Sequence, residues 1–412
     1  MQASHLKCKS LNVVILGDFI GFPYGMAAAS RVRYLAAGLL DCGVKVTVFN
    51  IVGINRNTST IKPSIAGVAW GIPYEYLSKV PIRSSSWWRR RIEDFVGFGN
   101  LFIKLITLKM KYQIDVVIFY SRNSLLISNV ALFCRLLRIK TVAEVCEWPI
   151  TKYNSNHRFF NNAYKYCTKA VLKADAALPI SAYIENQLAV VANLSNTSLP
   201  MLRIPIIVDV KEGQSSNTDS LFPYSYLFYS ASLAYFDIIK LLIDVIKELD
   251  NRGVVISLII TGTGEPIYAN SLIDYATNLG IQERINLLGW VDEAKLDKLQ
   301  TSAKALLAPL YDTLENQARF PTKIGHYLAS GTPVISTRVG DVATYLFHEK
   351  NAYLADGCTP TLIADTVESI LSNPILAHKV GLAGKDLAKN EFDYRIHGIN
   401  LYNFLLQVVT SR

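Results

Sequence analysis

The order of its hydrophobic segments constrains the fold of this chain more than any other feature. Short runs rich in β-branched residues alternate with segments whose apolar residues recur at helical spacing. At the start, predicted strands over 11–16 and 44–49 flank a predicted helix over 31–42 that ends at Gly43. Strands that are apolar throughout and joined by helices are typical of parallel sheets covered on both faces.

Further strands are predicted in the first half over 116–120, 140–144, 176–180 and 202–208. A second series then follows without visible sequence repetition, beginning with a strand over 226–230 and a helix over 238–251. It continues with strand 254–261, the turn Gly262-Thr-Gly264, helix 267–279, and segments 285–288, 295–302, 305–308, 323–329, 334–336 and 362–371. The order predicts an α/β protein with two Rossmann-like, doubly wound parallel-sheet domains that face a central cleft, where ligands are expected.

Chain length and one polar stretch set the expected domain limits. The chain has 412 residues, which suits two domains of about 200 residues each. A polar run over 213–219 has no apolar periodicity and is expected at the boundary. We therefore predict a first domain over 1–210, a second domain over 211–395, and a C-terminal helix over 396–412.

Composition narrows the class of partner and the compartment. The net charge of +9 suits an anionic partner such as a nucleotide, a phospholipid surface or a nucleic acid. The six cysteines are scattered without a CxxC pair, which argues against a zinc site or disulfide framework and fits a reducing cytoplasm. Residues 11–16 are expected to form a strand rather than a signal peptide, and no apolar run is long enough for a transmembrane helix.

An ordered set of motifs resembles the group 1 (family 4) glycosyltransferases. In the second half they are Ile260-Thr-Gly-Thr-Gly264, the strand end over 285–291 and Ala-Ser-Gly-Thr-Pro-Val-Ile over 329–335. Residues 22–31, 43–48 and 174–181 resemble the glycine loop, second strand and last core strand of the same family. Residues 51–115 match nothing in it. The resemblance implies a retaining, nucleotide-sugar-dependent enzyme of the GT-B fold.

The resemblance further implies transfer of a hexose from a nucleotide sugar, with the acceptor at the first domain, the donor at the second, and the C-terminal helix returning to the first. The acceptor is expected to be a glycan or a lipid-linked glycan of bacterial surface polysaccharide synthesis, mainly because of the basic aromatic segment over 87–91. Two alternatives stay open. One is a nucleotide-sugar epimerase of the same architecture, and the other is a catalytically silent GT-B protein that binds a glycan or partner.

The expected donor site lies where a loop enters a helix through Pro321. Arg319 and Lys323 stand beside this predicted helix N-terminus, where cations and backbone N–H groups can bind phosphate. Gly25, in the glycine loop over 21–25, can let the backbone approach a phosphate or sugar. The alternatives are a solvated cationic loop and a tight turn without ligand.

Several positions depart from the pattern that the resemblance implies. Many relatives carry two glutamates where this chain has Ala318 and His326; His326 can contact ribose or phosphate, or pack within its domain. No Arg/Lys pair follows strand 226–230, so the backbone near Ser232 is expected to help bind the diphosphate. Trp290 and Val291 are expected at the nucleobase, with a core or surface tryptophan as the alternative.

Glu144 and Glu147 close a predicted strand on the expected cleft side. Either carboxylate can orient the acceptor hydroxyl or help to remove its proton. Capping or a salt bridge is the alternative role. No Asp-x-Asp pair occupies a strand end in the expected cleft, so no metal site is expected. No cofactor is expected either, since the nucleotide sugar is a substrate.

A basic aromatic segment precedes the helix predicted over 92–112. Trp87, Trp88, Arg89, Arg90 and Arg91 combine side chains that suit a bilayer interface. A disordered basic loop or a nucleic-acid contact is the alternative, and the membrane is favoured because no nucleic-acid motif accompanies the segment. The expected location is the cytoplasm, peripheral on the inner face of the cell membrane.

Overall fold

The computed structural model describes residues 11–18, 20–54, 64–121, 123–149, 165–211 and 221–411. These residues form two compact units. The first contains the described residues up to Ile207 together with those from Tyr394 onward, and the second contains those from Val208 to Asp393. Each unit is built on a largely parallel sheet, which confirms the predicted fold class. The polar run over 213–219 lies outside the described residues.

The first unit contains a seven-stranded sheet with the order β3-β4-β2-β1-β5-β6-β7. All neighbouring strands are parallel except β3 and β4, which form an antiparallel hairpin. The central strands are buried on both faces, which explains their unbroken apolar sequences. The strands are β1 (Asn12–Gly17), β2 (Lys45–Asn50), β3 (Ala66–Ala69), β4 (Ile72–Tyr76), β5 (Val116–Tyr120), β6 (Lys140–Val145) and β7 (Ala176–Pro179).

Helices connect these strands and cover the sheet. They are α1 (Ala27–Asp41), α2 (Trp87–Met110), α3 (Ser124–Leu136) and α4 (Ala182–Leu194), and a π-helical turn over Tyr166–Ala170 precedes β7. Right-handed crossovers place α1 on one face of the sheet, and α2 and α3 together on the other.

The second unit contains a six-stranded sheet with the order β10-β9-β8-β11-β12-β13, and all neighbours are parallel. The strands are β8 (Tyr226–Ser230), β9 (Ser257–Thr261), β10 (Ile285–Gly289), β11 (Ala305–Ala308), β12 (Val334–Thr337) and β13 (Tyr353–Ala355). The helices are α5 (Phe236–Asn251), α6 (Pro266–Asn278), α7 (Glu293–Thr301), α8 (Leu314–Ala318), α9 (Thr322–Ser330), α10 (Val342–Tyr345), α11 (Pro360–Ser372) and α12 (Pro374–Leu387).

The last helix, α13 (Tyr394–Thr410), lies in the first unit and packs on α1. Two glycines permit this close approach. A Cβ atom added to Gly38 of α1 would lie 2.6 Å from the Tyr394 carbonyl oxygen, and one added to Gly398 would lie 2.5 Å from the Gly38 backbone.

The prediction of a strand over 202–208 is wrong. The segment is extended coil with isolated bridges at its ends, Ala177↔Met201 and Val208↔Asp393. Its apolar side chains are nevertheless buried, including Ile204 and Ile206 at 0% exposure. The Leu202 and Ile204 N–H groups also donate to the Ala177 and Pro179 carbonyl oxygens of β7, at 3.1 Å each. The segment therefore runs beside β7 without forming a regular strand, a difference that apolar periodicity does not report.

Candidate functional site

The strand order of the second unit defines where a ligand fits. Successive connections leave β8 through β9 and β10 on one side and through β11 and β12 on the other. In such sheets ligands bind beyond the carboxyl ends of the strands, at the point where the order reverses. The loops over 231–235 and 309–313 follow β8 and β11 and border that point.

Lys323 lies at this reversal point. It is the second residue of α9, and its Nζ atom lies 3.9 Å from the centroid of the Tyr229 ring in β8 and 5.9 Å from that of Tyr235. The Ser230 N–H donates to the Tyr327 hydroxyl at 2.7 Å, which fixes α9 against the end of β8. The start of α9 is therefore held over the carboxyl end of the central strand.

The environment of Lys323 suits an anion. Desolvation lowers the pKa of its ammonium to about 7, although part of the side chain still reaches the surface. Within the described part of the chain no carboxylate forms an ion pair with Lys323. No side chain caps the N-terminus of α9, whose dipole adds positive potential. A bound anion would supply the negative charge that no neighbouring carboxylate in the described part of the protein supplies.

Arg319 is compensated within the protein. It forms an ion pair with Glu315, four residues earlier, and its guanidinium lies 3.5 Å from the Tyr235 hydroxyl. The i,i+4 spacing could have indicated this pair from the sequence. The unpaired positive charge at the start of α9 is therefore carried by Lys323.

The turn around Ser232 is held by the glycine motif over 260–264. The N–H groups of Ala231 and Leu233 donate to the carbonyl oxygens of Thr261 and Thr263, and a Cβ atom on Gly262 would lie 1.8 Å from the Ala231 carbonyl oxygen. The glycine therefore permits close packing of two loops. Within the described residues the Ser232 N–H has no hydrogen-bond partner and can serve a ligand.

Trp290 and Val291 follow the end of β10. The Gly289 carbonyl oxygen accepts from the Gly262 N–H at 2.8 Å, so the strand end and the glycine motif are joined. Trp290 is 58% exposed, which excludes the core role and leaves its ring open to a base. Val291 is half-buried beside it.

The two positions where relatives carry glutamates differ in burial. Ala318 is 2% exposed and ends α8. His326 is half-buried on α9, three residues after Lys323 and therefore on a neighbouring part of the helix surface. The structure places His326, Lys323 and Arg319 on the same connection between β11 and β12.

In the first unit, packing explains the glycine at Gly25. Its N–H donates to the Gly21 carbonyl oxygen at 2.7 Å, and a Cβ atom would lie 2.4 Å from the Ile20 carbonyl oxygen. The side chain of Asn50, buried at the end of β2, holds the same loop by exchanging two hydrogen bonds of 2.9 Å with the Phe22 backbone. These contacts explain by packing why residue 25 is a glycine and leave the loop backbone available to a ligand, while no sequence pattern indicated the role of Asn50.

Glu144 and Glu147 occupy different environments. Glu144 forms an ion pair of 2.6 Å with Arg31, and the two side chains are 0% and 1% exposed. Arg31 also donates to the carbonyl oxygens of Ile204 and Pro205. This burial favours the salt-bridge role for Glu144. Glu147 is exposed and is the carboxylate of the two that solvent can reach.

The basic aromatic segment forms the first turns of α2 rather than a loop. Trp87 and Trp88 are 56% and 73% exposed, and Arg89, Arg90 and Arg91 are exposed with them. The Arg91 guanidinium lies 5.3 Å from the centroid of the Trp87 ring. Among the described helices none is long and apolar enough to cross a membrane.

Comparison with known proteins identifies a family match and several similar structures. Residues 222–387 match the family described as Glycosyl transferases group 1. A stretch of 118 residues is 26% identical to D-inositol 3-phosphate glycosyltransferase of Corynebacterium diphtheriae, covering 29% of this chain and 26% of that protein. The aligned part thus spans about a quarter of that relative.

Solved structures share the whole architecture. Sucrose-phosphate synthase from Thermosynechococcus elongatus has a TM-score of 0.73 at 14% identity, covering 96% of this chain and 99% of that one. Anabaena HepE in complex with UDP and glucose has a TM-score of 0.68 at 15% identity, with coverage of 96% and 99%. A glycosyltransferase from Rickettsia africae has a TM-score of 0.71 at 13% identity, with coverage of 98% and 100%.

The fold is therefore GT-B, with two Rossmann-like domains. The match over 222–387 supports a glycosyltransferase of group 1.

Proposed function

We propose that this protein is a retaining hexosyltransferase that moves a sugar from a nucleotide-sugar donor to a glycan or lipid-linked acceptor, in bacterial surface polysaccharide synthesis. The observation that carries the proposal is Lys323, a desolvated cation without an acidic partner among the described residues, at the reversal point of the second sheet. The complex of HepE with UDP and glucose supports a nucleotide-sugar donor.

In this proposal the donor diphosphate binds Lys323 and the N-terminus of α9, with the Ser232 N–H as a further donor. Trp290 covers the base and Val291 lies beside it. His326 and Arg319 contact the ribose or phosphates from the same connection, and Arg319 does so by exchanging Glu315 for phosphate. Glu147 and the loop at Gly25 serve the acceptor and the transferred sugar.

Transfer breaks the bond between the anomeric carbon and the diphosphate oxygen, and the acceptor oxygen forms the new glycosidic bond. The leaving diphosphate gains negative charge as the bond breaks. A cation already placed in a poorly hydrated site stabilises that charge without reorganising solvent. Lys323 therefore acts on the leaving group, while Glu147 is the group proposed to accept the proton that the acceptor hydroxyl loses.

Product analysis tests the proposal and separates the alternatives. The protein is incubated with UDP-, GDP-, ADP- and dTDP-sugars, with and without glycan acceptors, and the products are identified by mass spectrometry and NMR. Transfer or slow hydrolysis with retained configuration supports the proposal. Conversion of free donor to an epimer supports the epimerase alternative, and absence of binding in calorimetry with every donor supports the silent one.

Donor affinity is expected to fall as the pH rises from 6 to 8. With a pKa of about 7, Lys323 is mostly protonated at pH 6 and mostly neutral at pH 8, and an anion binds the protonated form. If only that form binds, the Kd rises about tenfold over this range. Calorimetry with the intact nucleotide sugar measures it, since the terminal phosphate of a free nucleoside diphosphate itself titrates near pH 6.

A control variant makes the pH experiment specific. Lys323→Arg stays charged over the whole range and should give a nearly flat Kd between pH 6 and 8. Binding of the parent at pH 8 should also take up close to one proton, measured in two buffers of different ionisation enthalpy. A parent profile as flat as that of Lys323→Arg would place the donor phosphates elsewhere.

Transfer is expected to require no metal ion, because the proposed diphosphate site uses Lys323 and backbone N–H groups. Full activity in excess chelator is the expected result, and restoration of activity only by added manganese would contradict it. Calorimetry of donor binding with and without chelator checks the same point independently of turnover.

The proposal also includes peripheral association with an anionic membrane through Trp87, Trp88 and Arg89–Arg91, on the cytoplasmic face of the cell membrane. The exposure of these side chains on the first turns of α2 supports it.

A further inference from the structure

The outward face of α2 carries an apolar stripe over its whole length. Its members are between 40% and 79% exposed and are Trp88, Ile92, Phe95, Ile103, Ile106 and Met110. The buried residues Glu93, Gly97, Leu101 and Leu105 lie on the opposite side, because successive residues turn by about 100° around a helix. The stripe therefore points directly away from the sheet.

Helix α3 extends this apolar surface sideways. Leu125, Leu132 and Leu136 are 74%, 57% and 75% exposed, on the side opposite to the buried residues of that helix. Phe102 of α2 packs edge-to-face on Phe133 of α3, with ring centroids 4.7 Å apart. Because the helices lie side by side on one face of the sheet and both stripes point away from it, they form one surface. We call it the α2–α3 face.

Cations flank the α2 stripe on both sides. At 100° per residue, Arg89 projects on the side away from α3, whereas Arg91 and Lys109 project on the side of α3. The Lys109 Nζ donates to the Arg138 carbonyl oxygen, just beyond the end of α3, at 2.9 Å. Arg90 folds back, with its Nε donating to the Ser84 carbonyl oxygen at 2.6 Å. No carboxylate lies within the stripe. This is the distribution of a helix that lies in a bilayer interface, with cations at the headgroup level and apolar side chains below.

The amino end of α2 lies at the functional edge of the first sheet. Ile82 pairs with Ile54, and the Arg83 N–H donates to the Ile54 carbonyl oxygen at 2.8 Å. Ile54 follows the carboxyl end of β2 by a few residues. The tryptophan end of the α2–α3 face is thus at the same sheet edge as the glycine loop, where the first unit would receive its ligand.

We propose that the whole α2–α3 face binds an anionic lipid bilayer, with α2 parallel to the membrane plane and its tryptophan end bringing the acceptor loops to the headgroups. The helix has 24 residues, so the stripe is about 36 Å long. This inference rests on the proposed function for its acceptor, which it narrows to a lipid-linked one. A second copy of the chain would bring the same cations together across a symmetric interface, whereas anionic lipids neutralise them.

Vesicle flotation tests this surface apart from the Trp87–Arg91 end. The variants are the double substitution Phe95→Gln with Ile103→Gln on α2, and Leu132→Gln on α3. The matched control is Ile375→Gln, which removes an equally exposed side chain, 72%, from the second unit. Vesicles contain equal parts of phosphatidylglycerol and phosphatidylcholine, or phosphatidylcholine alone. The parent should bind the anionic vesicles more strongly, and binding should weaken with salt.

The double variant is expected to lower partitioning onto anionic vesicles by about tenfold or more, Leu132→Gln by severalfold, and Ile375→Gln not at all. Replacing Trp87, Trp88 and Arg89–Arg91 together should reduce it by roughly two orders of magnitude. Unchanged unfolding curves and unchanged donor binding in calorimetry show that each variant is folded and that its second unit works.

Three outcomes would overturn the inference. In the first, the Phe95/Ile103 and Leu132 variants bind vesicles normally and only the replacement of residues 87–91 abolishes binding, which would confine the membrane contact to the amino end of α2. A dimer in sedimentation that these variants dissociate would make the second copy the occupant. Full transfer to a lipid-free acceptor, with no transfer to its lipid-linked form in vesicles, would refute the proposed orientation of α2 at the membrane. Since flotation uses no donor, a failure of the proposed function would appear separately, in calorimetry.

Discussion

Replacing Lys323 with alanine is expected to lower kcat/KM for the donor by roughly ten- to more than a hundredfold. A charge-assisted hydrogen bond to phosphate contributes about 1.5–3 kcal/mol, which corresponds to that range. We expect a value in the upper part of this range for two reasons. Lys323 has no acidic partner in the described structure, and its ammonium is desolvated over the Tyr229 ring. Without Lys323, Arg319 can neutralise the phosphate charge only if it breaks its ion pair with Glu315.

Much of this loss should appear in kcat, because the lysine stabilises the departing diphosphate more than the bound donor. Lys323→Arg should recover part of the activity, since charge is kept while reach and geometry change. Lys298→Ala, an exposed lysine on α7, is the control and should behave as the parent. Steady-state kinetics on folded Lys323→Ala decide the matter: a kcat/KM within about threefold of the parent, under 1 kcal/mol, would remove Lys323 from the donor site.

The sequence predicts that Lys323 lies at a helix N-terminus but not which residues surround its side chain. Pro321 and the following apolar spacing place a helix N-terminus there, because those signals are local. The contact with Tyr229 joins positions almost a hundred residues apart, and the tyrosine itself follows the pattern of a buried strand residue. The pKa of Lys323 depends on this long-range contact, so no local pattern could reveal it.

The difference between local signals and long-range contacts also explains which parts of the fold could be predicted. The strands over 116–120, 226–230 and 305–308 were predicted with the bounds that they have, because each is a short apolar run between turn residues. The segment over 202–208 has an equally apolar sequence and is buried, but its few backbone hydrogen bonds to β7 do not make a regular strand. The α2–α3 face could be seen only once the buried side of each helix was known, since apolar residues surround both helices.

Glu144→Ala is expected to destabilise the first unit by about 3–5 kcal/mol, the usual result of leaving one member of a buried ion pair without its partner. Burial alone would lower the pKa of Arg31, but the carboxylate of Glu144 raises it above its ordinary value, so the guanidinium stays charged. The pair joins α1 to β6, and Arg31 also binds the carbonyl oxygens of Ile204 and Pro205. Its loss therefore loosens three segments at once.

Glu147→Ala is the matched comparison, because Glu147 is exposed and lies only three residues away. Its stability should change by less than about 0.5 kcal/mol, while kcat for transfer falls and donor affinity stays constant. Replacing both partners, Arg31→Met with Glu144→Leu, should restore only part of the stability lost in Glu144→Ala, because the carbonyl oxygens of Ile204 and Pro205 then lose their donor. Urea unfolding followed by fluorescence, together with transfer kinetics below the transition, measures both effects. A Glu144→Ala protein as stable as the parent but inactive would return Glu144 to the acceptor site and leave Glu147 without a catalytic role.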